Sequence, residues 1–256
     1  MKIKSALLLS TLALAGTAFA QTKAPEPDYT LSYNIGAVSD YRYRGISQTA
    51  KKPALQGGAD FAHKSGLYLG AWGSTIRWIE DAPAAPASAK GPIEIDIYGG
   101  YKGSITEGLS FDVGALQYWY AGNDLKDVAG FANPDTLEVY GALSFGPVTA
   151  KYSHSLTNLF GTVNSKGSGY LDVSATFDLG NGFSVVPHIG SQRIKNFGTY
   201  MDYSLTLNKD IDGLILSAAV VSTNWKSHFG TAFTLPGSGN KDLGKTGVVL
   251  GIKKNF

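Results

Sequence analysis

The chain has 256 residues, with 22 Lys and Arg against 20 Asp and Glu, and it contains no cysteine. This near balance of charge gives no argument for nucleic-acid binding, and the lack of cysteine excludes disulfides and thiolate metal sites. Glycine is abundant, at 32 residues, while charged residues make up only 16% of the chain. Such a composition is typical of an all-β protein whose outer surface does not face water.

The first twenty residues have the pattern of a secretory signal peptide. Lys2 and Lys4 precede an apolar stretch, LLLSTLALAG, and the sequence AFA at 18–20 supplies the small residues that signal peptidase requires. We predict cleavage before Gln21, followed by a short periplasmic segment over residues 21–28. Because the two basic residues in excess belong to the leader, the mature chain is near neutral.

Apolar and polar residues alternate with period two from Tyr29 onward. The pattern is clear in IEIDIYGGY at 93–101 and in YLDVSATFDL at 170–179, and it predicts strands with one apolar and one polar face. The longest strongly apolar run after the leader, LILSAAVV, is far shorter than the ~20 residues of a membrane helix. We predict twelve strands, which begin near residues 29, 54, 67, 93, 109, 136, 148, 170, 183, 200, 214 and 246, and we expect the first to extend to residue 43.

The connections between these strands alternate in length. The short ones, HKSG, SITEG, GP, GNG and DIDG, are rich in turn-forming residues, and longer polar stretches lie between them. An even number of strands, with short turns at one end and long loops at the other, is typical of outer-membrane barrels. We therefore predict an all-β fold over residues 29–256, a transmembrane antiparallel up-and-down β-barrel of about 12 strands.

Aromatic residues with the parity of the apolar face concentrate at the predicted strand ends. Aromatic side chains at this level form the girdles of membrane barrels at the two membrane–water interfaces. The predicted inner girdle contains Tyr29, Phe61, Tyr101, Phe145, Phe177, Phe183 and Phe256, and the predicted outer girdle contains Tyr41, Tyr43 and Trp119.

The opposite parity is polar and is predicted to line the lumen. It comprises Asp40, Arg42, Arg44, Asp60, Glu94, Asp96, Lys102, Asp112, Glu138, Lys151, Asp172, Asp178, Asp202 and Lys253. Because acidic residues outnumber basic ones in this set, we expect a mild preference for cations.

The two arginines of this set, Arg42 and Arg44, have three interpretations. A structural ion-pair network with Asp40 and with acids of neighbouring strands is favoured over a constriction that senses anionic solutes. If the first strand bulges, contact with lipopolysaccharide phosphates outside the barrel is the third.

Three segments together carry a family resemblance: SDYRYRGISQT at 39–49, KPALQGGADFAHKSGLYLGAWGS, and IEIDIYGGYKG. They resemble the TorF family of porin-like proteins, a bacterial group of exported β-barrels, and the resemblance covers nearly the whole mature chain. It implies a β-barrel of the Gram-negative outer membrane with a pore function and without catalytic residues. The last strand, KTGVVLGIKKNF, also resembles the C-terminal signal read by the outer-membrane assembly machinery, although Lys254 departs from it.

No enzyme, cofactor or metal site is predicted. His154 and Ser155 are adjacent in a strand and therefore point to opposite faces, where they cannot share a proton. Glu94 and Asp96 fit a lumen wall better than a metal site, because no histidine or cysteine accompanies them at ligand spacing.

We therefore expect a porin-like channel for passive diffusion of small hydrophilic solutes. Twelve strands enclose a narrow lumen, which we expect to be partly occupied by Tyr98, Tyr118, Tyr140 or a folded-in loop. The expected partners are outer-membrane lipid and lipopolysaccharide, the assembly machinery and small solutes, and not nucleic acid. The alternatives are a non-conducting structural or surface-binding outer-membrane barrel and, third, a secreted soluble β-protein.

Overall fold

The computed structural model describes residues 27–256. The predicted signal peptide, residues 1–20, and most of the predicted periplasmic segment, residues 21–28, lie outside this range. In the described part of the chain, the helices are too short to cross a membrane.

Twelve antiparallel strands form one closed barrel. Each strand pairs with its neighbours in sequence, and the first strand also pairs with the last, so that the sheet has no open edge. The strands are β1 (Tyr29–Val38), β2 (Ala54–His63), β3 (Leu67–Thr75), β4 (Ile93–Thr106), β5 (Leu109–Tyr120), β6 (Thr136–Phe145), β7 (Val148–Ser155), β8 (Gly169–Ala175 and Phe177–Gly180), β9 (Phe183–Ile194), β10 (Gly198–Ile211), β11 (Leu214–Thr223) and β12 (Gly247–Asn255).

The predicted fold class is confirmed, and every strand begins within two residues of its predicted start. Period-two alternation located the strands because each has one polar face towards the lumen and one apolar face outward. The exposed side chains of the outer face include Leu31, Ile35, Leu69, Leu205 and Val248.

The predicted length of the first strand is wrong. β1 ends at Val38 rather than at residue 43, because the chain turns away from the wall at Ser39 and Asp40. The residues from 39 to 53, which we call loop 1, enter the barrel before the chain rejoins the wall at Ala54.

The connections alternate between short turns and long loops, and both described termini lie at the short-turn end. The other long connections are loop 2 (76–92), loop 3 (121–135), loop 4 (156–168) and loop 6 (224–246), and the short loop 5 (195–197) lies among them. They contain the helices α1 (Trp78–Asp81) and α2 (Trp225–Phe229) and the 3₁₀ turns Leu125–Asp127 and Pro236–Ser238.

Most of the buried apolar side chains lie at the loop end. One cluster is built from Tyr41, Ile76, Ile79, Tyr118, Tyr120 and Leu125, and another from Ile46, Ala50, Tyr200, Trp225 and Leu243. Leu235 of loop 6 packs against both clusters. The loops therefore form a packed cap over the lumen instead of extending freely from the strands.

Candidate functional site

Loop 1 ends in a small hairpin that reaches into the lumen. Its strands are Arg42–Tyr43 and Ile46–Ser47, and we call residues 42–47 the loop-1 tip. The two residues of the turn have positive φ angles, 46° at Arg44 and 79° at Gly45. A two-residue hairpin turn with positive φ at both central positions matches the right-handed twist of its strands.

The turn of the loop-1 tip packs directly against the barrel wall. A Cβ atom on Gly45 would lie 2.7 Å from the Cβ atom of Asp202 on β10, and it would also collide with Thr223 on β11. Only glycine fits this position, because both the positive φ and the close approach exclude a side chain.

Arg44 connects the tip to three strands of the wall. Its Nη2 donates to both carboxylate oxygens of Glu138, at 2.9 and 2.7 Å, and its Nη1 donates to Gln192. The Tyr200 hydroxyl donates to the backbone carbonyl of Arg44 at 3.1 Å. The side chains of Arg44 and Glu138 are 5% and 2% exposed, so the pair is a buried ion pair inside the barrel.

Aromatic rings surround the Arg44 guanidinium. Its central carbon lies 4.3 Å from the centre of the Tyr170 ring and 4.9 Å from that of Tyr43. The Tyr43 hydroxyl is hydrogen-bonded to the Tyr118 hydroxyl on β5. These contacts stabilise the cation where few water molecules reach it.

Arg42 fixes the tip to the other side of the cap. Its Nε donates to Asp40 at 2.6 Å, and its Nη1 donates to the backbone carbonyl of Leu243 in loop 6 at 2.9 Å. Ser47 donates to the other oxygen of Asp40 at 2.6 Å. Arg42 and Asp40 therefore hold loop 1 and loop 6 together.

The prediction that Tyr41 and Tyr43 belong to an outer aromatic girdle is wrong, because both side chains lie inside the barrel. Tyr41 is 8% exposed and donates to Glu94 Oε1 at 2.6 Å. Burial, together with the Glu94 carboxylate, raises the pKa of the Tyr41 hydroxyl. Both residues keep the sequence parity of β1, but the turn at 39–40 ends that strand at Val38, so parity no longer indicates which face their side chains occupy.

The arginines occupy the interior as well. Arg42 pairs with Asp40 and Arg44 with Glu138, which is the arrangement of the favoured ion-pair interpretation. Contact between these arginines and phosphates outside the barrel is excluded by their position. Trp225 lies in α2 and is buried in the loop cap.

The remaining predicted girdle residues lie on the outer face of the wall. They are exposed at the strand ends: Tyr29, Phe61, Tyr101, Trp119, Phe145, Phe177, Phe183 and Phe256.

The other predicted lumen residues occupy the inner face, and several pair with tyrosine or histidine. Tyr98 donates to Asp60, Tyr68 to Asp112 at 2.6 Å, and His188 Nε2 lies 2.7 Å from Asp172. The wall acids paired in this way are Asp60, Glu94, Asp112, Glu138, Asp172 and Asp202. Asp96 lies on the same wall without such a partner among the described residues, and Lys151 lies beside Tyr140.

The lumen tyrosines lie across glycines of the neighbouring strands. A Cβ atom on Gly70 would lie 2.6 Å from the Tyr98 hydroxyl, and one on Gly114 would lie 2.6 Å from the Tyr140 hydroxyl. Tyr98 therefore passes over Gly70 to reach Asp60 two strands away. Tyr98, Tyr118 and Tyr140 were predicted from the sequence to occupy the lumen. Further interior contacts were not predicted, and they are made by Tyr68, Tyr170, His188, Gln192 and Tyr200.

Two cavities meet at the loop-1 tip. A cavity of about 210 Å³ lies among the loops, and a cavity of about 450 Å³ lies in the lumen and is lined by Lys151, His188 and Asp172. Tyr43 and Arg44 line both cavities. The tip therefore stands between the loop-side space and the lumen.

Comparison with known proteins identifies one family and a shared architecture. A family model described as "Bacterial protein of unknown function (Gcw_chp)" matches residues 22–256, and no curated protein matches the sequence. The fold is similar to that of the KdgM porin, at 6% identity and a TM-score of 0.54, over 88% of this chain and 98% of that one. It is also similar to the NanC porin, at 9% identity and a TM-score of 0.51, over 89% and 99% of the two chains. At such low identity the likeness concerns the barrel fold alone.

Proposed function

The chain belongs to the Gcw_chp family of bacterial proteins of unknown function, and we propose that it is a porin-like channel of the Gram-negative outer membrane, through which small hydrophilic solutes diffuse passively. The observation that carries this proposal is the lumen cavity, about 450 Å³ in volume and lined by charged side chains such as Asp96, Lys151 and Asp202, inside a closed barrel whose outer face is apolar. A polar interior within an apolar wall is the arrangement that conducts solutes across lipid. No enzymatic activity is part of the proposal.

Membrane insertion is supported by the outer surface. Large apolar side chains cover the outward positions, for example Ile35 at 62% and Leu55 at 68% exposure. A soluble protein rarely exposes so continuous an apolar surface to water. A folded protein that stays monodisperse without detergent would contradict this placement, and it would support the secreted soluble alternative.

Conductance tests the channel itself. We expect purified, folded protein to produce stepwise current in planar lipid bilayers, with small steps because the loop-1 tip crosses the lumen. Heat modifiability on a gel verifies the folded state. Folded protein without any conductance would favour the second candidate, a non-conducting surface-binding barrel, which the packed loop cap supports.

The lumen is expected to favour cations mildly over anions. The acids Asp96, Asp172 and Asp202 are matched in the lumen cavity by Arg42, Arg44 and Lys151. The expected preference therefore comes from the whole predicted lumen set, in which acids outnumber bases, because carboxylates along a pore attract cations. In a salt gradient, the reversal potential should shift in the direction of cation selectivity. An anion-selective reversal potential would refute this part of the proposal.

Lipopolysaccharide is a proposed partner at the loop end of β7 and β9. Arg193 donates to the Gly167 carbonyl at 2.9 Å, and a Cβ atom on Gly167 would lie 3.9 Å from both Lys195 Nζ and His154 Cε1. His154, Lys195 and the exposed Lys166 line a depression, and the described residues of its lining include no carboxylate. Lipid phosphates of the outer leaflet would neutralise this positive charge.

Removing two of these charges should weaken lipopolysaccharide binding. Each basic residue near an anionic lipid surface contributes about 1 kcal/mol, so Lys166→Gln with Lys195→Gln should lower the affinity roughly tenfold to thirtyfold. Gel-shift titration with lipopolysaccharide and with its dephosphorylated form measures the effect. Lys209→Gln with Lys254→Gln, at the opposite end of the barrel, is the control. Equal affinities of the two double variants would contradict the proposed site.

The assembly machinery is a proposed partner of β12. Val248, Leu250 and Ile252 face outward, and Phe256 is 65% exposed at the end of the chain. Deleting Phe256 should reduce the heat-modifiable fraction in outer membranes, and an unchanged fraction would contradict this role. The narrower identification with the TorF family belongs to the same proposal and rests on the three sequence segments that carry the resemblance.

A further inference from the structure

The loop-side cavity has a mainly aromatic and aliphatic lining, with Ser47, Gln48, Thr162 and Gln192 as its uncharged polar members. It lies between the two apolar clusters of the cap and has a volume of about 210 Å³. The side chains that matter here are Tyr43, Trp78, Phe131, Phe160, Trp225 and Phe233. An engineered apolar cavity of ~150 Å³ stays dry and binds benzene, so the present cavity has room for one ring with a small substituent.

Two hydrogen-bond donors beside this cavity have no partner among the described residues. They are Nε of Arg44 and Nε1 of Trp78, both buried, and both side chains line the cavity. The other guanidinium nitrogens of Arg44 bind Glu138 and Gln192. Both nitrogens are covered by neighbouring atoms in this structure, so a small rotation of either side chain would be needed to present the N–H group to the cavity. Because a buried donor without an acceptor is unfavourable, a ligand that carries an acceptor oxygen would stabilise that rotated position.

The charges beside the cavity favour an uncharged ligand. The positive charge of Arg44 is already compensated by Glu138 at 2.7 Å. A carboxylate ligand would therefore bring an excess negative charge into an apolar space, which is costly. A sugar would leave most of its hydroxyl groups without partners, because the lining is mainly apolar and its polar members Ser47 and Gln192 are already hydrogen-bonded within the protein.

We infer that the loop-side cavity binds one small, neutral aromatic molecule that carries a hydrogen-bond acceptor such as a carbonyl oxygen. The ring fills the space among Trp78, Phe160 and Trp225, and the oxygen accepts from Arg44 or Trp78. Filling the cavity with ring atoms restores dispersion contacts that its lining lacks when empty. This binding does not depend on conductance, so the inference stands apart from the proposed channel.

The test uses 4-fluorobenzamide as the probe and ¹⁹F NMR of the folded full-length protein in detergent. We expect a saturable change of the fluorine signal that unlabelled benzamide reverses. Ala82→Leu fills the cavity, because Ala82 is buried in its lining, and should weaken binding at least tenfold. Ala84→Leu, on the same loop but exposed and outside the cavity, should leave the affinity unchanged.

The chemistry of the ligand is tested on the native protein and on a second variant. Fluorobenzene, which lacks the carbonyl, and 4-fluorobenzoate, which is charged, should each bind several-fold more weakly than 4-fluorobenzamide. Trp78→Phe keeps a ring and removes a donor, and it should weaken binding a few-fold. Equal binding by the Ala82→Leu and Ala84→Leu variants, once heat modifiability shows both folded, would overturn the site. Equal binding of the three probes would overturn the ligand class.

Discussion

Replacing Glu138 with Gln is expected to release the loop-1 tip from the barrel wall and to increase conductance. Glu138 is 2% exposed at its side chain and holds Arg44 through two hydrogen bonds. Removing one partner of a buried ion pair typically costs about 3–5 kcal/mol, because the other charge stays buried without compensation. This penalty falls on the inward position of the tip and is absent once Arg44 reaches water.

The population of the inward tip should therefore fall by roughly two to four orders of magnitude relative to an outward one. Single-channel recordings should show larger or longer openings for Glu138→Gln than for the native protein. Asp112→Asn is the matched control, since Asp112 also lies on the inner wall but binds Tyr68 and not loop 1. If both variants conduct like the native protein, Arg44 and Glu138 do not restrict the lumen.

Gly45→Ala is expected to dislodge the same tip by a different physical cause. The backbone at Gly45 has φ of 79°, and a Cβ atom there would collide with Thr223 and lie 2.7 Å from the Asp202 Cβ. A strained backbone costs about 1–3 kcal/mol and forced overpacking about 1–3 kcal/mol more. The variant should therefore conduct more and unfold at a lower temperature than the native protein.

A control variant separates the effect of backbone strain from the effect of the steric collision between the added Cβ atom and the wall. Gly130 has φ of 92°, and a Cβ atom there would meet nothing within 4 Å. Gly130→Ala thus has a comparable backbone penalty without a contact in the lumen, and its conductance should stay native. Should the two variants show the same conductance, the tip does not pack against β10 and β11 as described.

The strands of the barrel wall could be predicted because the alternation that marks each of them lies within a short stretch of sequence. Each strand alternates between apolar residues that face outward and polar residues that face the lumen, and the short turns between strands contain glycine. Strands such as β4 and β8 can therefore be located from the sequence alone. The wall acids Asp60, Asp112 and Asp172 follow from the same parity. The hydrogen bonds that tyrosines make to these acids do not follow from parity, because the two partners lie on different strands. Tyr98 and Asp60, for example, lie two strands apart in the sheet.

The loop-1 tip was not predictable from parity because distant residues determine its position. Tyr41 and Tyr43 keep the alternation of β1, so the pattern alone continues the strand past Val38. What turns the chain inward is the partner set of Arg44, of which Glu138 is 94 residues away. Gly45, which interrupts the alternation, was the local indication that the strand pattern does not continue here.

The most direct test compares planar-bilayer conductance of the native protein with that of a variant in which residues 42–47 are replaced by a Gly-Ser linker. The replacement removes both Tyr43 and Arg44 from the boundary between the two cavities. We predict small steps for the native protein and clearly larger steps for the variant, with both proteins heat-modifiable. Equal conductance, or none from either folded protein, would contradict a channel that loop 1 restricts.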